Sequence, residues 1–99
     1  MTKDDERKYT FLGFAQKAGK AVSGENTVEA KIKEKNARCV VVAADAPDAA
    51  KEKFERLARR YHVPFLIFGE KNRLGAAIGK SPRNVVLISD KNIAGQILQ

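Results

Sequence analysis

The fold is decided by residues 37–45, which read Ala-Arg-Cys-Val-Val-Val-Ala-Ala-Asp. This apolar run is too short to span a membrane and lies between two segments with helical spacing. Such a run indicates a strand that is buried on both faces of a sheet. The charged helix that precedes this run begins at residues 23–26, which read Ser-Gly-Glu-Asn. Ser23 can cap this helix, and Gly24 permits a close backbone approach.

The helix start that follows Gly24 is a candidate recognition site. The first amides of a helix have no partner inside the helix, so they are donors for an anion or a polar partner. Asn can bind two atoms of a base, and Lys can neutralise phosphates, which gives Asn26, Lys31 and Lys33 a role in binding nucleic acid. A simple helix cap explains Ser23 and Gly24 equally well, so composition alone leaves both interpretations open.

The alternation of helices and apolar strands continues on both sides of this stretch. Apolar spacing predicts helices over residues 6–18, 25–35, 48–61, 71–78 and 90–98. Apolar runs predict strands with little exposed side chain at residues 39–43, 64–68 and 85–88, and a shorter strand before Ser23. This pattern predicts an α/β domain with helices on both faces of a small mixed or parallel sheet. We expect a frayed tail at residues 1–5 and a single domain over residues 6–99.

The charge of the chain favours a polyanionic partner. Its 99 residues carry a net charge of +7, and 43% of them are hydrophobic. That composition is typical of a globular domain, and the charge indicates nucleic acid or an anionic membrane. No stretch reads as a membrane-binding helix, which favours nucleic acid. A polar, mixed-charge start is unlike a signal peptide, and a single cysteine cannot form an internal disulfide, so we expect a cytoplasmic protein.

A nucleotide-binding enzyme is disfavoured by the spacing of two glycines. A phosphate loop needs four residues between its glycines and a helix after it. Gly75 and Gly79 are separated by only three residues, and a predicted strand follows them. Gly79 is therefore expected to end a helix. Residues 71–83 nevertheless contain no acid and four cations: Lys71, Arg73, Lys80 and Arg83.

The residues that could support catalysis or metal binding have simpler explanations. His62 is the only histidine and is expected at a helix end on the surface. Cys39 begins a buried strand and is expected to act as a small apolar residue. Asp45 is expected to cap the third helix. Basic residues of that helix alternate with Glu52 and Glu55, which indicates a solvated face.

Five segments of the chain, taken in order, resemble a known family. They are Leu-Gly-Phe-Ala-Gln-Lys-Ala-Gly-Lys (12–20), Ser-Gly-Glu (23–25), Ala-Arg-Cys-Val-Val-Val-Ala-Ala-Asp-Ala (37–46), Tyr-His-Val-Pro (61–64) and Leu-Gly-Ala-Ala-Ile-Gly-Lys (74–80). The chain is similar to the kink-turn RNA-binding ribosomal-protein family of the L-seven-Ae type, in particular its small bacterial YlxQ-like members. The resemblance implies a three-layer α/β/α sandwich with a four-stranded mixed sheet, and binding to kink-turns or related RNA loops.

The resemblance also implies where RNA would bind. The family pattern at the helix start is Gly-x-Asn-Glu-x-x-Lys, in which Gly24 matches the glycine and Asn26 the asparagine. Thr27 occupies the glutamate position and Ala30 the lysine position. The family's second recognition loop corresponds to residues 79–84, which carry Lys80 where an apolar residue is common. These departures imply altered specificity within the same fold.

We therefore expect a non-enzymatic, cytoplasmic protein that binds structured RNA, ribosomal or regulatory, within a ribonucleoprotein. Residues 23–27 and 79–84 should meet at one end of the sandwich. The candidate RNA-binding residues are Gly24, Glu25, Asn26, Thr27, Lys31, Lys33, Lys80, Ser81 and Arg83. No cofactor, metal, membrane or small-molecule substrate is expected, and ribosomal proteins are further candidate partners. The alternative is a protein-interaction module that docks on a ribosomal or translation-factor partner without binding RNA.

Overall fold

The computed structural model describes residues 2–99, in which helices and strands alternate as the sequence predicts. The elements are α1 (Lys3–Lys17), β1 (Ala21–Ser23), α2 (Glu25–Lys33), β2 (Cys39–Val42), α3 (Asp48–Arg60), β3 (Phe65–Ile67), α4 (Lys71–Ala77), β4 (Val85–Ile88) and α5 (Lys91–Leu98). The expected short strand before α2 is thus confirmed as β1. Within residues 2–99, no helix has both the length and the apolar character that a membrane span requires.

The four strands form one mixed sheet in the order β1-β4-β2-β3. β4 is antiparallel to both of its neighbours, with Val86 opposite Ser23 and Val85 opposite Val42. β2 and β3 are parallel, and α3 supplies the crossover that a parallel pair needs. As a result, β1, β2 and β3 end, and β4 begins, at one end of the sheet. We call this the loop end, and it comprises residues 23–27, 43–47, 68–71 and 79–84.

Helices cover both faces of the sheet, which confirms the three-layer sandwich. α1 packs against α4 and α5, whereas α2 packs against α3 on the opposite face. Every side chain of β2 and β4 is buried between the two helical layers. Burial of a large apolar side chain contributes about 1.5–3 kcal/mol, so these two central strands hold the layers together. The predicted burial on both faces is therefore confirmed for β2 and β4.

The predicted burial of residues 64–68 is wrong. β3 is an edge strand, and none of its three residues is fully buried. Ile67 is 46% exposed. An edge strand has a neighbour on one side only, so its side chains are covered less completely than those of a central strand. An apolar run predicts a strand in both cases but does not reveal its position in the sheet.

Helix α1 begins at Lys3, three residues before the predicted start. Thr2 caps the helix: its hydroxyl accepts a hydrogen bond from the Asp5 amide, and the Asp5 carboxylate accepts one from the Thr2 amide. This reciprocal pair is a capping box and stabilises the first turn. Residues 3–5 of the expected tail are therefore helical. The error arose because the apolar face that reveals a helix begins only after this polar first turn.

Two basic side chains of α1 donate hydrogen bonds to the C-terminal end of α5. The buried Lys8 donates from its Nζ to the backbone oxygens of Ile97 at 2.8 Å and Gln99 at 2.5 Å. Arg7 donates to the backbone oxygens of Gln96 and Gln99. The last carbonyls of a helix lack partners within it, and cations near them are favourable. These contacts tie the two helices together on the face that lies away from α2 and α3.

Candidate nucleic-acid interface

Helix α2 begins at the loop end without a side-chain cap. Its N-cap residue is Gly24, with φ of +92° and ψ of 144°, and the Gly24 amide donates to the Val85 carbonyl at 3.2 Å. The first amide that bonds within the helix is that of Val28, to the Gly24 carbonyl at 2.9 Å. In the part of the chain that the structure describes, the amides of Asn26 and Thr27 meet no acceptor. They remain available as donors to a ligand.

The predicted roles of Ser23 and Gly24 at this helix start are wrong in detail. Ser23 belongs to β1, and its hydroxyl accepts a hydrogen bond from Arg83 at 2.9 Å instead of capping α2. No heavy atom lies within 4 Å of the position that a Gly24 Cβ would occupy, so close approach is not the reason for glycine here. The reason is its positive φ, which L side chains rarely adopt.

Arg83 fastens the loop before β4 to the end of β1. In addition to its bond to Ser23, its guanidinium donates from Nη1 to the Ser81 hydroxyl at 2.7 Å. The same nitrogen reaches the backbone oxygens of Ser81 at 3.3 Å and Pro82 at 3.2 Å. The Arg83 amide donates to the Lys71 carbonyl at 3.0 Å. One arginine thus links β1, α4 and its own loop, which gives residues 81–83 a defined shape.

A second link joins Asn84 to Glu25. The Asn84 side-chain amide lies 3.5 Å from the Glu25 carboxylate, and the Asn84 carbonyl accepts a bond from Ala43 at 2.8 Å. Together with the bonds of Arg83 and Gly24, this contact brings residues 23–25 against residues 83–85. The structure therefore places the two segments that were expected to meet directly side by side.

Gly75 of α4 allows the loop to lie this close. A Cβ at Gly75 would be 2.1 Å from the Ser81 carbonyl oxygen and 3.0 Å from that of Lys80. Both are backbone atoms, so a side chain here would displace the loop. Gly75, Ser23 and Asn84 were absent from the predicted site residues. A glycine inside a helical pattern, where it costs about 1 kcal/mol relative to alanine, was a detectable sign of close packing.

The side chains that face solvent at this end are polar. Asn26 and Thr27 are exposed on the first turn of α2, and Lys80 and Ser81 are exposed on the neighbouring loop. Lys33 lies seven residues beyond Asn26, two helical turns along the same face. The surface thus combines hydrogen-bonding groups near the loop with positive charge farther along the helix.

Two of the candidate lysines already have carboxylate partners in the structure. The Lys31 ammonium lies 3.7 Å from the Glu34 carboxylate. The Lys33 ammonium lies 2.9 Å from Glu29, which is also 2.9 Å from Lys53 of α3. Hydrogen bonds from Lys53 and then Lys33 lower the pKa of Glu29 to about 2. The two lysines therefore keep spare N–H donors but are oriented by neighbouring carboxylates.

The structure corrects the expected role of Asp45 and gives Arg73 a partner outside its own segment. Asp45 does not cap α3. Its carboxylate accepts a hydrogen bond from the Lys71 amide at 2.8 Å and so stabilises the start of α4. Arg73, one of the four cations of the acid-free segment, lies 3.3 Å from the Glu6 carboxylate and 4.3 Å from the centre of the Tyr9 ring. Arg73 therefore joins α4 to α1. Both contacts link segments distant in sequence, which local patterns do not reveal.

Cys39 and His62 carry two of the side chains that could support catalysis. Cys39 is buried, and this burial raises the pKa of its thiol to about 12, which disfavours the reactive thiolate. His62 is exposed at the end of α3 with φ of +58°, which confirms its expected position. Across residues 2–99, no three His, Cys, Asp or Glu side chains are grouped so that they could hold a metal ion.

The family model described as the Ribosomal protein L7Ae/L30e/S12e/Gadd45 family matches residues 7–98. The chain belongs to this family. It is similar to the RNA-binding protein YlxQ of Bacillus subtilis, with 32% identity over 90 residues that cover 91% of this chain and 90% of that protein. It is also similar to the RNA-binding protein YlxQ of Enterococcus faecium, with 36% identity over 90 residues that cover 90% and 85% of the two chains.

A solved structure of a family-like fold superposes closely on this protein. The 15.5kD RNA binding protein of Giardia lamblia matches with a TM-score of 0.85 over 99% of this chain and 87% of the Giardia chain. The two sequences are 22% identical, so this likeness concerns the fold alone. It agrees with the three layers and the four-stranded mixed sheet described above.

Proposed function

We propose that this protein binds structured RNA, specifically a kink-turn or a related internal loop, through the loop end of its sheet. It acts without catalysis, as a ribosome-associated protein of the cytoplasm, and its RNA is ribosomal or regulatory. The family membership and the similarity to two proteins named YlxQ support RNA binding. Within this proposal, residues 24–27 contact bases and backbone, and Lys31, Lys33, Lys80, Ser81 and Arg83 contact phosphates or position the groups that do.

The observation that carries the proposal is the uncapped start of α2 held against a structured loop. Hydrogen bonds of Arg83 to Ser23, and of the Gly24 amide to Val85, hold the two segments together without using the exposed atoms of Asn26. A side-chain amide can donate and accept at once, so Asn26 can bind two atoms of one base. Because its neighbours are already held in place, this contact would require little reordering on binding.

Charge gives the loop before β4 an affinity for phosphate. Lys80 is exposed beside Ser81, and no carboxylate lies between residues 71 and 83. Arg83 has a second role, because its guanidinium shapes the loop through Ser23 and Ser81. We therefore assign Lys80 mainly to phosphate contact and Arg83 mainly to positioning.

The alternative, a protein-interaction module, has one observation in its favour. Ile67 is 46% exposed on the open edge of the sheet, where another protein could add contacts. Ile67 is however a single large apolar side chain, and isolated exposed apolar residues are ordinary on protein surfaces. RNA binding therefore remains the proposal that the site supports best.

The proposal is tested by calorimetry on two RNAs at several salt concentrations. One is a kink-turn, and the other is an unkinked duplex with the same base composition. We expect the protein to bind the kink-turn more tightly, with a difference that persists as salt weakens both interactions. Equally weak binding to both RNAs would contradict the proposal and favour the docking module.

A further inference from the structure

A second basic surface lies between α2 and α3, away from the loop before β4. It is a surface cavity of about 550 Å³ lined by Glu29, Lys53, Arg56, Leu57, Arg59 and Arg60. None of these lining residues is a candidate RNA-binding residue. The candidate Lys33 does not line the cavity but pairs with Glu29, which does. We call this cavity the α2/α3 groove.

Helical geometry separates the charges of α3. Lys53, Arg56 and Arg60 are spaced three and four residues apart, so they share one face of the helix. Glu52 and Glu55 do not line the groove, although Glu55 lies 3.9 Å from Arg59, which does. The expected solvated face of α3 is confirmed, because the acidic and most of the basic side chains of this helix are exposed. Four of its basic side chains in addition line the groove beside α2.

Glu29 arranges the lysines of the two helices. Its two carboxylate oxygens bind the Lys33 ammonium and the Lys53 ammonium, each at 2.9 Å. The low pKa of Glu29, about 2, agrees with this strongly positive surrounding. Glu29 is thus the only carboxylate among the described residues that line the groove, whereas four cations line it: Lys53, Arg56, Arg59 and Arg60. Each ammonium has three N–H donors, so both lysines keep donors for a further anion.

We infer that the α2/α3 groove binds the phosphate backbone of a stem that flanks the recognised RNA loop. This inference rests on the proposed function, which places that loop at the start of α2. Both α2 and α3 begin at the loop end and run away from it. Lys33 lies about 10 Å along α2 from Asn26, and Arg60 about 18 Å from the start of α3. A stem leaving the loop along these helices carries a regular row of phosphates on each of its strands.

RNA fits the groove better than an acidic protein does. A guanidinium group can bind two phosphate oxygens at once, and the groove presents three arginines of one helix, of which Arg56 and Arg60 are four residues apart. Among residues 2–99, the half-buried Leu57 is the one apolar residue that lines the groove, and the aliphatic stems of the basic side chains supply the rest of its apolar surface. A docked protein would need a larger apolar centre to bind stably.

The test compares two kink-turn RNAs with the same loop. One has short stems, and the other has stems extended by about ten base pairs, one helical turn. The variant is Arg56→Gln with Arg60→Gln. The control variant is Lys17→Gln with Lys51→Gln, which removes the same charge from α1 and α3 at positions that do not line the groove. Thermal unfolding followed by circular dichroism confirms that both variants are folded.

We expect the groove variant to bind the long RNA about ten-fold more weakly than the wild type does. Its salt slope on that RNA should fall by nearly two, since each phosphate contact contributes about 0.9. Its affinity for the short RNA, and the affinity of the control variant for both RNAs, should change less than two-fold. An equal loss on both RNAs, or a loss as large in the control variant, would overturn the inference.

The remaining outcomes separate this inference from the proposed function. If the wild type binds both RNAs equally and the groove variant matches it, the groove inference fails and the proposed function stands. If only the long RNA binds and the groove variant abolishes that binding, the groove inference stands and loop recognition fails. Binding of neither RNA would overturn both, and an acidic protein partner would then be the next occupant to test.

Discussion

Helices α2 and α5 carry the same residue at their second position but begin in different ways. In α5, Asp90 precedes the helix, and its carboxylate accepts a bond from the Ile93 amide at 2.8 Å. In α2, Gly24 precedes the helix and has no side chain to accept such a bond. Asn92 and Asn26 follow two positions later, and both are exposed. The two starts are therefore matched, except that one is closed by its own cap and the other is open.

The contrast between α5 and α2 shows how this protein keeps a helix start open. A side-chain cap contributes about 1 kcal/mol, and α5 has that stabilisation whereas α2 does not. At α2 the support comes from another segment: the Val85 carbonyl accepts from the Gly24 amide, and Asn84 reaches Glu25. The amides of the first turn then remain free for a ligand. An open start beside a well-supported loop is what a binding site needs, and a closed one is sufficient for a structural helix.

The largest expected effect comes from removing the support of the open start. Gly75→Ala places a Cβ 2.1 Å from the Ser81 carbonyl oxygen, so the loop must move or the helix must shift. We expect a loss of about 3 kcal/mol in the free energy of unfolding, measured in urea, because overpacking against backbone is costly. RNA binding should fall as well.

Gly95→Ala in α5 is the matched control for that substitution. A Cβ at Gly95 meets nothing within 4 Å, and alanine favours the helix. This variant should gain about 0.5–1 kcal/mol in stability and bind RNA as the wild type does. If Gly75→Ala is as stable as the wild type, the close approach of the loop is not a constraint on α4.

Gly24→Ala tests the backbone conformation at the open start itself. There is space for the new methyl group, so the cost comes only from the φ of +92°. We expect a loss of about 2 kcal/mol in urea unfolding. Gly24→Asn should cost about as much, because ψ of 144° lies outside the left-handed helical region that asparagine tolerates. A much milder asparagine variant would show that the start of α2 has moved into that region.

Asp90→Ala opens the closed start. Loss of the bond to the Ile93 amide should cost about 1 kcal/mol in stability, and RNA affinity should change less than two-fold. Asp90→Asn keeps an acceptor oxygen and should recover most of the loss. Weaker RNA binding by a folded Asp90→Ala variant would mean that α5 contributes to the RNA surface, contrary to the assignment of the site to α2.

The smallest expected effect is a gain. Thr27→Glu with Ala30→Lys restores the family pattern on the exposed face of α2. We expect tighter binding to a kink-turn by about 0.5–1 kcal/mol, in the range of a single added hydrogen bond. The matched positions of α5 cannot serve as a control, because Ile93→Glu would place a charge where the side chain packs against the core. The control is therefore the unkinked duplex. Equal tightening on both RNAs would indicate charge alone.

Local patterns predicted the elements of this fold because they depend on neighbouring residues. The valines of β2 and the spacing of Phe54 and Ala58 in α3 indicate a strand and a helix without knowledge of the rest of the chain. The Asp90 cap is likewise a local feature, since its carboxylate and the Ile93 amide lie within one turn of each other. The meeting of residues 23–27 and 79–84 could be anticipated because the family resemblance supplied the topology.

The partners of individual polar side chains could not be predicted in the same way. Ser23 stands where a cap would stand, but its partner Arg83 is sixty residues away. Asp45 likewise bonds to Lys71 and not to the helix that follows it. The position of β3 at the sheet edge, and hence the exposure of Ile67, is set by the strand order. These features depend on tertiary contacts, which a local pattern does not contain.

In the proposed function, the open start of α2 binds bases through Asn26. The most direct measurement compares Asn26→Ala with Asn92→Ala, which removes the same side chain from the same position of the capped helix. Calorimetry is carried out with a kink-turn and an unkinked duplex. We predict that Asn26→Ala weakens kink-turn binding by about 1–3 kcal/mol and leaves duplex binding nearly unchanged, whereas Asn92→Ala affects neither RNA. Equal effects of the two substitutions, or no effect of Asn26→Ala on the kink-turn, would contradict the claim.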